Sequence, residues 1–205
     1  MLKNVKWIFF DIGSTLVDEH KVYEHIFRDI AELTDKKYED IYDEAVDLYK
    51  HNKKGDIELG IKYKLPRRKW HTEDEALYKD AETCLETLFQ KYKIGVIANQ
   101  SFGIKDRLKN WGILKYFDLV IVSAEEGIAK PDSKIFEIAL QRARCNPNQA
   151  VMIGDRIDND IIPAKKIGMH TIWMKQGFGA YWTITSEEEQ AELVVDNILN
   201  VCAYL

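Results

Sequence analysis

The chain has 205 residues, 46% of them apolar and 31% charged, enough for one good core plus a small insertion in a globular protein. Its formal charge of -5 and scattered lysines and arginines, clustered most tightly at Arg67-Arg68-Lys69, offer no basic face to a nucleic acid. No stretch approaches the roughly 18 apolar residues of a membrane span, so neither nucleic acid nor membrane is expected as a partner.

The first element is the apolar run Val5–Phe10, which stops at Asp11 and is followed by Ile12-Gly13-Ser14-Thr15-Leu16. A strand over Trp7–Phe10 ending in a carboxylate and a Gly-Ser-Thr turn places an acid at the carboxyl edge of a sheet, where open α/β folds bind ligands. Residues 18–78 contain no convincing strand. Apolar residues recur helically there through Val22, Ile26, Ile30 and Leu33, then through Ile41, Ala45, Leu48 and Tyr49, so two to four helices are inserted, with turns at Gly55, Gly60 and Pro66. The spacing next predicts a helix over Ala81–Tyr92, a strand over Ile94–Ala98, a helix beginning at Lys105–Lys109 and a strand over Leu119–Val122. A helix over Ser133–Ala143, a strand over Val151–Ile153, a helix over Asp160–Ile167 and a strand over Thr171–Met174 follow. Ser186 with Glu189 forms a capping-box pattern at a helix start, before a short strand near Leu193–Val195 and a last helix to Val201. Short β-branched strands alternating with helices predict an α/β fold: a doubly wound, Rossmann-like parallel sheet over residues 1–17 and 79–205, with a helical cap over 18–78.

Four segments converge at one edge of such a sheet: Asp11, Ala98-Asn99-Gln100-Ser101, Lys130-Pro131, and Gly154-Asp155 with Asp160. Two strands ending in acids, with a Lys-Pro pair between them, suggest a magnesium-supported phosphoryl-transfer site. Together Asp11-x-x-x-Thr15-Leu16, Lys130-Pro131 and Gly154-Asp155-x-x-x-Asn159-Asp160 resemble the haloacid dehalogenase-like (HAD) superfamily of hydrolases over essentially the whole chain. The resemblance implies that Asp11 is a nucleophile forming an aspartyl-phosphate. It implies Mg²⁺ held by Asp11, the main-chain carbonyl of Gly13 and Asp155, with Asp160 on the metal or on its waters. Lys130 would be a fixed cation between Asp11 and the phosphoryl group, and Thr15 would support the Asp11 loop through its hydroxyl. Asn99 and Ser14 offer donors to the phosphate beside Lys130, whereas Asp158 is expected to face solvent. Taken singly, each has a plainer reading: a turn cap for Asp11, helix N-terminal acids for Asp155 and Asp160, a surface lysine for Lys130.

Two positions depart from the family pattern. Its phosphatases carry a second Asp two residues after the nucleophile, which protonates the leaving group and later activates water; here that position is Gly13. They also place Ser or Thr after the second strand, where this chain has Ala98. General acid–base assistance is worth roughly 10²–10⁴ in rate, and one donor to developing charge about 10²–10³. The expectation is therefore a Mg²⁺-dependent hydrolase of a small phosphorylated metabolite, slow or restricted to good leaving groups such as acyl or aryl phosphates. The alternatives are a weakened member that binds a phosphorylated ligand or a partner protein, or a dehalogenase- or phosphonatase-like hydrolase. Dehalogenases lack the Gly154-Asp155 pair, and no lysine in 18–78 stands out as a Schiff base.

His25, Tyr63, Lys69 and His71 are available in the cap for a compensating group, and Tyr42, Tyr49, Tyr63 and Trp70 either line a substrate site or pack the helices. The run Gly177–Trp182 belongs at the rim of the site or at a contact surface, where exposed Tyr181 and Trp182 would mark an interface; both monomer and homodimer stay open. Cys84, Cys145 and Cys202 lack metal spacing and read as reduced thiols. The first residues leave no room for a signal peptide, so a cytoplasmic location is expected.

Overall fold

The computed structural model describes residues 2–205. Its strands are β1 (Trp7–Phe10), β2 (Val17–Asp18), β3 (Ala76–Leu77), β4 (Lys93–Ala98), β5 (Leu119–Val122), β6 (Ala150–Gly154), β7 (His170–Met174) and β8 (Leu193–Val195). The helices are α1 (His20–Thr34), α2 (Tyr38–Lys50), α3 (Gly55–Lys62), α4 (Ala81–Phe89), α5 (Ile104–Asn110), α6 (Ser123–Glu126), α7 (Ser133–Ala143), α8 (Ile162–Lys166) and α9 (Val201–Tyr204). Six strands form one sheet in the order β5-β4-β1-β6-β7-β8, every neighbouring pair parallel.

Side-chain alternation explains why these strands read as continuous apolar runs. Ile8 and Phe10, Val96 and Ala98, and Val151 and Ile153 face one buried cluster. Phe9, Ile97, Ala150 and Met152 face a second, on the opposite side of the sheet. Both faces are covered, as a parallel sheet with helical crossovers requires. β1 lies between β4 and β6, so Phe10 is level with Val96 and Ile153, and Asp11 emerges between the ends of two flanking strands.

The chain leaves the sheet through β2 and returns through β3. These pair antiparallel, Val17 with Leu77 and Asp18 with Ala76, a two-residue ribbon too short to carry a sequence signal. Between them α1–α3 build an apolar cluster of their own from Val22, Ile26, Phe27, Ile30, Ile41, Ala45, Tyr49 and Leu59. Phe178, from the loop after β7, enters that cluster with its ring centroid 4.9 Å from Tyr23, 5.4 Å from Phe27 and 5.0 Å from Tyr49.

Several sequence expectations are corrected. The helix expected over Asp160–Ile167 begins as a π turn over Ile157–Ile161, and only α8 is α-helical. The Ser186–Glu189 capping box does not form. A single 3₁₀ turn spans Glu187–Glu189, and Glu189 instead accepts from the Thr185 N–H at 2.6 Å and the Thr185 hydroxyl at 3.1 Å. With only three residues before the chain extends again toward β8, no second turn exists for a cap to stabilise. The last helix, expected to reach Val201, begins there. Of the two aromatics whose exposure would mark an interface, Tyr181 is exposed and Trp182 is buried against Ile157, Ile161 and Trp173, while Tyr49 packs the helical insertion, as one of its two readings had it. Among the described residues no helix is long and apolar enough to cross a membrane.

Candidate active site

Asp11 is fixed at its strand end by its own N–H, which donates to the Ile153 carbonyl at 2.8 Å. Asp155 follows β6 directly, and Asp160 comes from the π turn after it, a local widening that recurs at functional sites. Gly154 makes room for that return: a Cβ there would lie 2.3 Å from Asp160 Oδ2 and 2.4 Å from its Cγ. Lys130 comes from the segment between α6 and α7. Its Nζ sits 2.9 Å from Asp11 Oδ1 and 2.5 Å from Asp160 Oδ1, with the lysine side chain 1% exposed. The Asp160 carboxylate also accepts from the Arg156 N–H at 3.0 Å. Carboxylate oxygens of Asp11, Asp155 and Asp160 all lie within 4.8 Å of one another.

Burial and mutual repulsion govern this cluster. Desolvation raises Asp160 to about 6 despite its bond to Lys130, and also holds Asp155 well above the usual carboxylate range, with the charges of Asp160 and Asp11 adding to the effect. Burial opposes the charge on Lys130, but Asp11 and Asp160 outweigh it and the ammonium is held charged. One amine therefore bridges two of the three acids. The backbone carbonyl of Asp155 accepts from Trp173 Nε1 at 2.9 Å, yet among the described residues no cation pairs with its carboxylate.

Asn99, Ser14 and Thr15 are placed differently from expectation. Asn99 does not present its amide to a ligand: Nδ2 donates to the Lys130 carbonyl and Oδ1 accepts from the Lys130 N–H, each at 2.8 Å. It holds the backbone of the lysine in place. The Ser14 hydroxyl donates to Glu19 Oε2 at 3.1 Å. The Thr15 hydroxyl, expected to brace the loop, is buried and has no hydrogen-bond partner among the described residues, and it is the Thr15 N–H that donates to the Ile12 carbonyl in the turn. Ala98 is fully buried and offers no hydroxyl. Asp158 pairs with Arg156 through two contacts of 2.9 and 2.5 Å, at the partly exposed margin. In the cap, Tyr63 donates to Glu44, Trp70 to Glu75, His25 pairs with Asp74 and His71 with Glu73.

A cavity of about 130 Å³ adjoins the Asp11 loop, lined by Ser14, His20, Tyr23, Tyr42, Phe178 and Tyr181. The Gly177–Trp182 run is thus at the rim: Phe178 and Tyr181 form its wall, and Gly179 lies where a Cβ would be 2.5 Å from the Asp155 carbonyl.

Glu19 is the residue that sequence reading passed over. It is 6% exposed, at the junction of β2 and α1, with its carboxyl against Gly13. Burial, and then the charge of Asp11, push it up to about 8, so it carries a proton at neutral pH. Within Asp18-Glu19-His20 it looks like an acid at a helix start, and it does occupy the N-cap position, but its side chain caps nothing. The available signal was the glycine at 13, a missing side chain beside the nucleophile whose space something else must fill.

Residues 8–174 match the family model of the haloacid dehalogenase-like hydrolases. The chain belongs to that family. This HAD hydrolase is 28% identical to the glyceraldehyde 3-phosphate phosphatase of Pyrococcus furiosus, over 96% of this chain and 91% of that one. It is 34% identical over 124 residues to the pyrimidine 5'-nucleotidase YjjG of Escherichia coli, a match spanning 56% of this chain and 55% of the relative. In fold it is similar to YfnB from Bacillus subtilis in its magnesium-bound form, with a TM-score of 0.68 at 16% identity, covering 98% of this chain and 99% of that one.

The donor set of this HAD hydrolase fits a magnesium ion. Hard carboxylate oxygens from Asp11, Asp155 and Asp160 share one small volume, and a divalent cation is what two raised, buried acids lack. Asp11, Asp155 and the main-chain carbonyl of Gly13 would hold it, with Asp160 on the ion or its waters.

Proposed function

We propose that this HAD hydrolase is a magnesium-dependent phosphatase for a small phosphorylated metabolite, acting through an aspartyl-phosphate on Asp11. The observation that carries the reading is the Lys130 ammonium set between Asp11 and Asp160, with Asp155 completing a three-carboxylate cluster at the sheet edge. A bound magnesium ion would supply charge neutralisation for the phosphate and its transition state. Asp11, held by its strand, attacks phosphorus. Lys130, buried and fixed by Asn99, offsets the negative charge that accumulates between nucleophile and phosphoryl group and does not move a proton, since its neighbours hold it charged.

Support for a small substrate comes from the cavity of about 130 Å³ beside the Asp11 loop, and from two relatives named as a phosphatase and a nucleotidase. The aromatic wall of Tyr23, Tyr42, Phe178 and Tyr181 suits the carbon portion of such a molecule. The test is phosphate release from a panel of small phosphate esters with and without Mg²⁺. Turnover abolished by Asp11→Asn supports the reading; micromolar binding of phosphorylated ligands with no turnover anywhere would make the chain a ligand-binding relative instead.

A further inference from the structure

We infer that Glu19 is a catalytic residue of this site: its carboxyl gives the proton to the leaving group and then takes one from the attacking water. The inference builds on the phosphatase reading above and concerns a buried carboxyl beside the cluster that has no assigned task.

The placement is the first observation. A Cβ built on Gly13 would lie 2.3 Å from Glu19 Oε1, 2.8 Å from Oε2 and 2.7 Å from Cδ. In an aspartate, bond lengths put the two carboxylate oxygens about 2.4 Å from their own Cβ. The Glu19 carboxyl oxygens therefore sit about as far from that Cβ as an aspartate's own would, with the carboxyl carbon further out. The group fills the space a side chain at position 13 would enter, two residues beyond the nucleophile. The Gly13 backbone lies outside the left-handed region, so the occupant of that space, and not the backbone, is what bars a side chain there.

Structural duties do not account for the residue. Its side chain makes no cap bond to α1, and among the described residues no cation pairs with it. Among the described residues its carboxyl accepts one hydrogen bond, from Ser14 Oγ, and Ser14 lines the cavity. A buried carboxyl is costly unless it is paired or fully hydrogen-bonded, and this one has a single bond, from Ser14. Asp11, Asp155 and Asp160 are committed to the nucleophile, the lysine and the cation site, which leaves Glu19 as the acid facing the leaving group.

In the first step an Asp11 oxygen bonds to phosphorus while the bond from phosphorus to the ester oxygen breaks. The electron pair stays on that oxygen, which takes the Glu19 proton and departs as an alcohol. In the second, the Glu19 carboxylate accepts a proton from water as the water oxygen bonds to phosphorus; the acyl-phosphate bond breaks and its electron pair returns to Asp11. Phosphate is released and both carboxyls are restored. The acid reaches the site on the chain entering the helical insertion, so it belongs to the junction that joins cap and sheet.

The experiment compares wild type, Asp11→Asn, Glu19→Gln and the exchange Gly13→Asp with Glu19→Ala, on acetyl phosphate, p-nitrophenyl phosphate and glycerol 3-phosphate. Glu19→Gln should lower turnover of the alkyl ester by roughly 10²–10³ and that of the two good leaving groups by less than about tenfold, and the exchange should restore the alkyl ester. A loss equal across all three esters, no loss on the alkyl ester, or an exchange that turns over only good leaving groups overturns the assignment. Should Glu19→Gln fail to fold, the exchange decides alone. Absence of any Asp11-dependent turnover would instead overturn the phosphatase reading, and this one with it.

Discussion

Replacing Lys130 by Met tests how the cluster is held together. Unit charges at the observed 2.5 and 2.9 Å attract by roughly 6 kcal/mol each at an effective dielectric of about 20, before the cost of desolvating the amine. Removing one partner of a buried ion pair costs about 3–5 kcal/mol overall, and Lys130→Met strands two carboxylates rather than one. The loss depends on pH. Asp160 is raised from 3.8 to about 6 in the folded protein, so the folded state binds the extra proton and Asp160 favours folding at low pH, an advantage lost as pH rises through 6. Without the lysine its pKa rises further, and the carboxyl is neutral at pH 5 but forced toward ionisation at pH 8. Urea unfolding in EDTA should give a destabilisation of about 3–5 kcal/mol at pH 8 and a clearly smaller one at pH 5. Equal destabilisation at both pH values, or less than about 1 kcal/mol at pH 8, would refute this account of the cluster.

Glu19 obeys the same sign: raised from 4.5 to about 8, it makes wild type lose stability between those pH values by up to about 1.4 kcal/mol per unit. Glu19→Gln should therefore gain on wild type as pH goes from 5 to 8 in metal-free urea titrations; parallel curves would contradict the buried, protonated carboxyl. Gly154→Ala puts a methyl 2.3 Å from Asp160 Oδ2 and should cost about 1–3 kcal/mol while weakening Mg²⁺ binding measured by calorimetry; unchanged affinity would mean that Asp160 has no part in the ion site. Phe178→Ala removes the aromatic plug between the loop after β7 and the helical insertion, and should cost about 3–5 kcal/mol in thermal or urea unfolding. A loss near zero would show that the insertion does not depend on this contact.

The convergence of Asp11, Lys130, Asp155 and Asp160 was legible because each follows a short apolar strand or its crossover, and a parallel sheet brings strand ends to one edge. Glu19 was not, because its importance lies in filling a void beside Gly13 six residues away, a relation no periodicity records. Asn99 misled for a related reason: its amide looks free in sequence but spans 31 positions to clamp Lys130. Phe178, between two glycines, resembles loop filler until the aromatic rings of α1 and α2 close around it. The Ser186 cap failed because three residues leave a single turn, too short for the pattern to apply.

The central claim is phosphoryl transfer at Asp11, and phosphate release from glyceraldehyde 3-phosphate and other small esters tests it most directly, with Mg²⁺ or EDTA and with Asp11→Asn as control. The account predicts release that needs Mg²⁺ and disappears in Asp11→Asn. Release that survives either EDTA or the substitution in highly purified protein would contradict it.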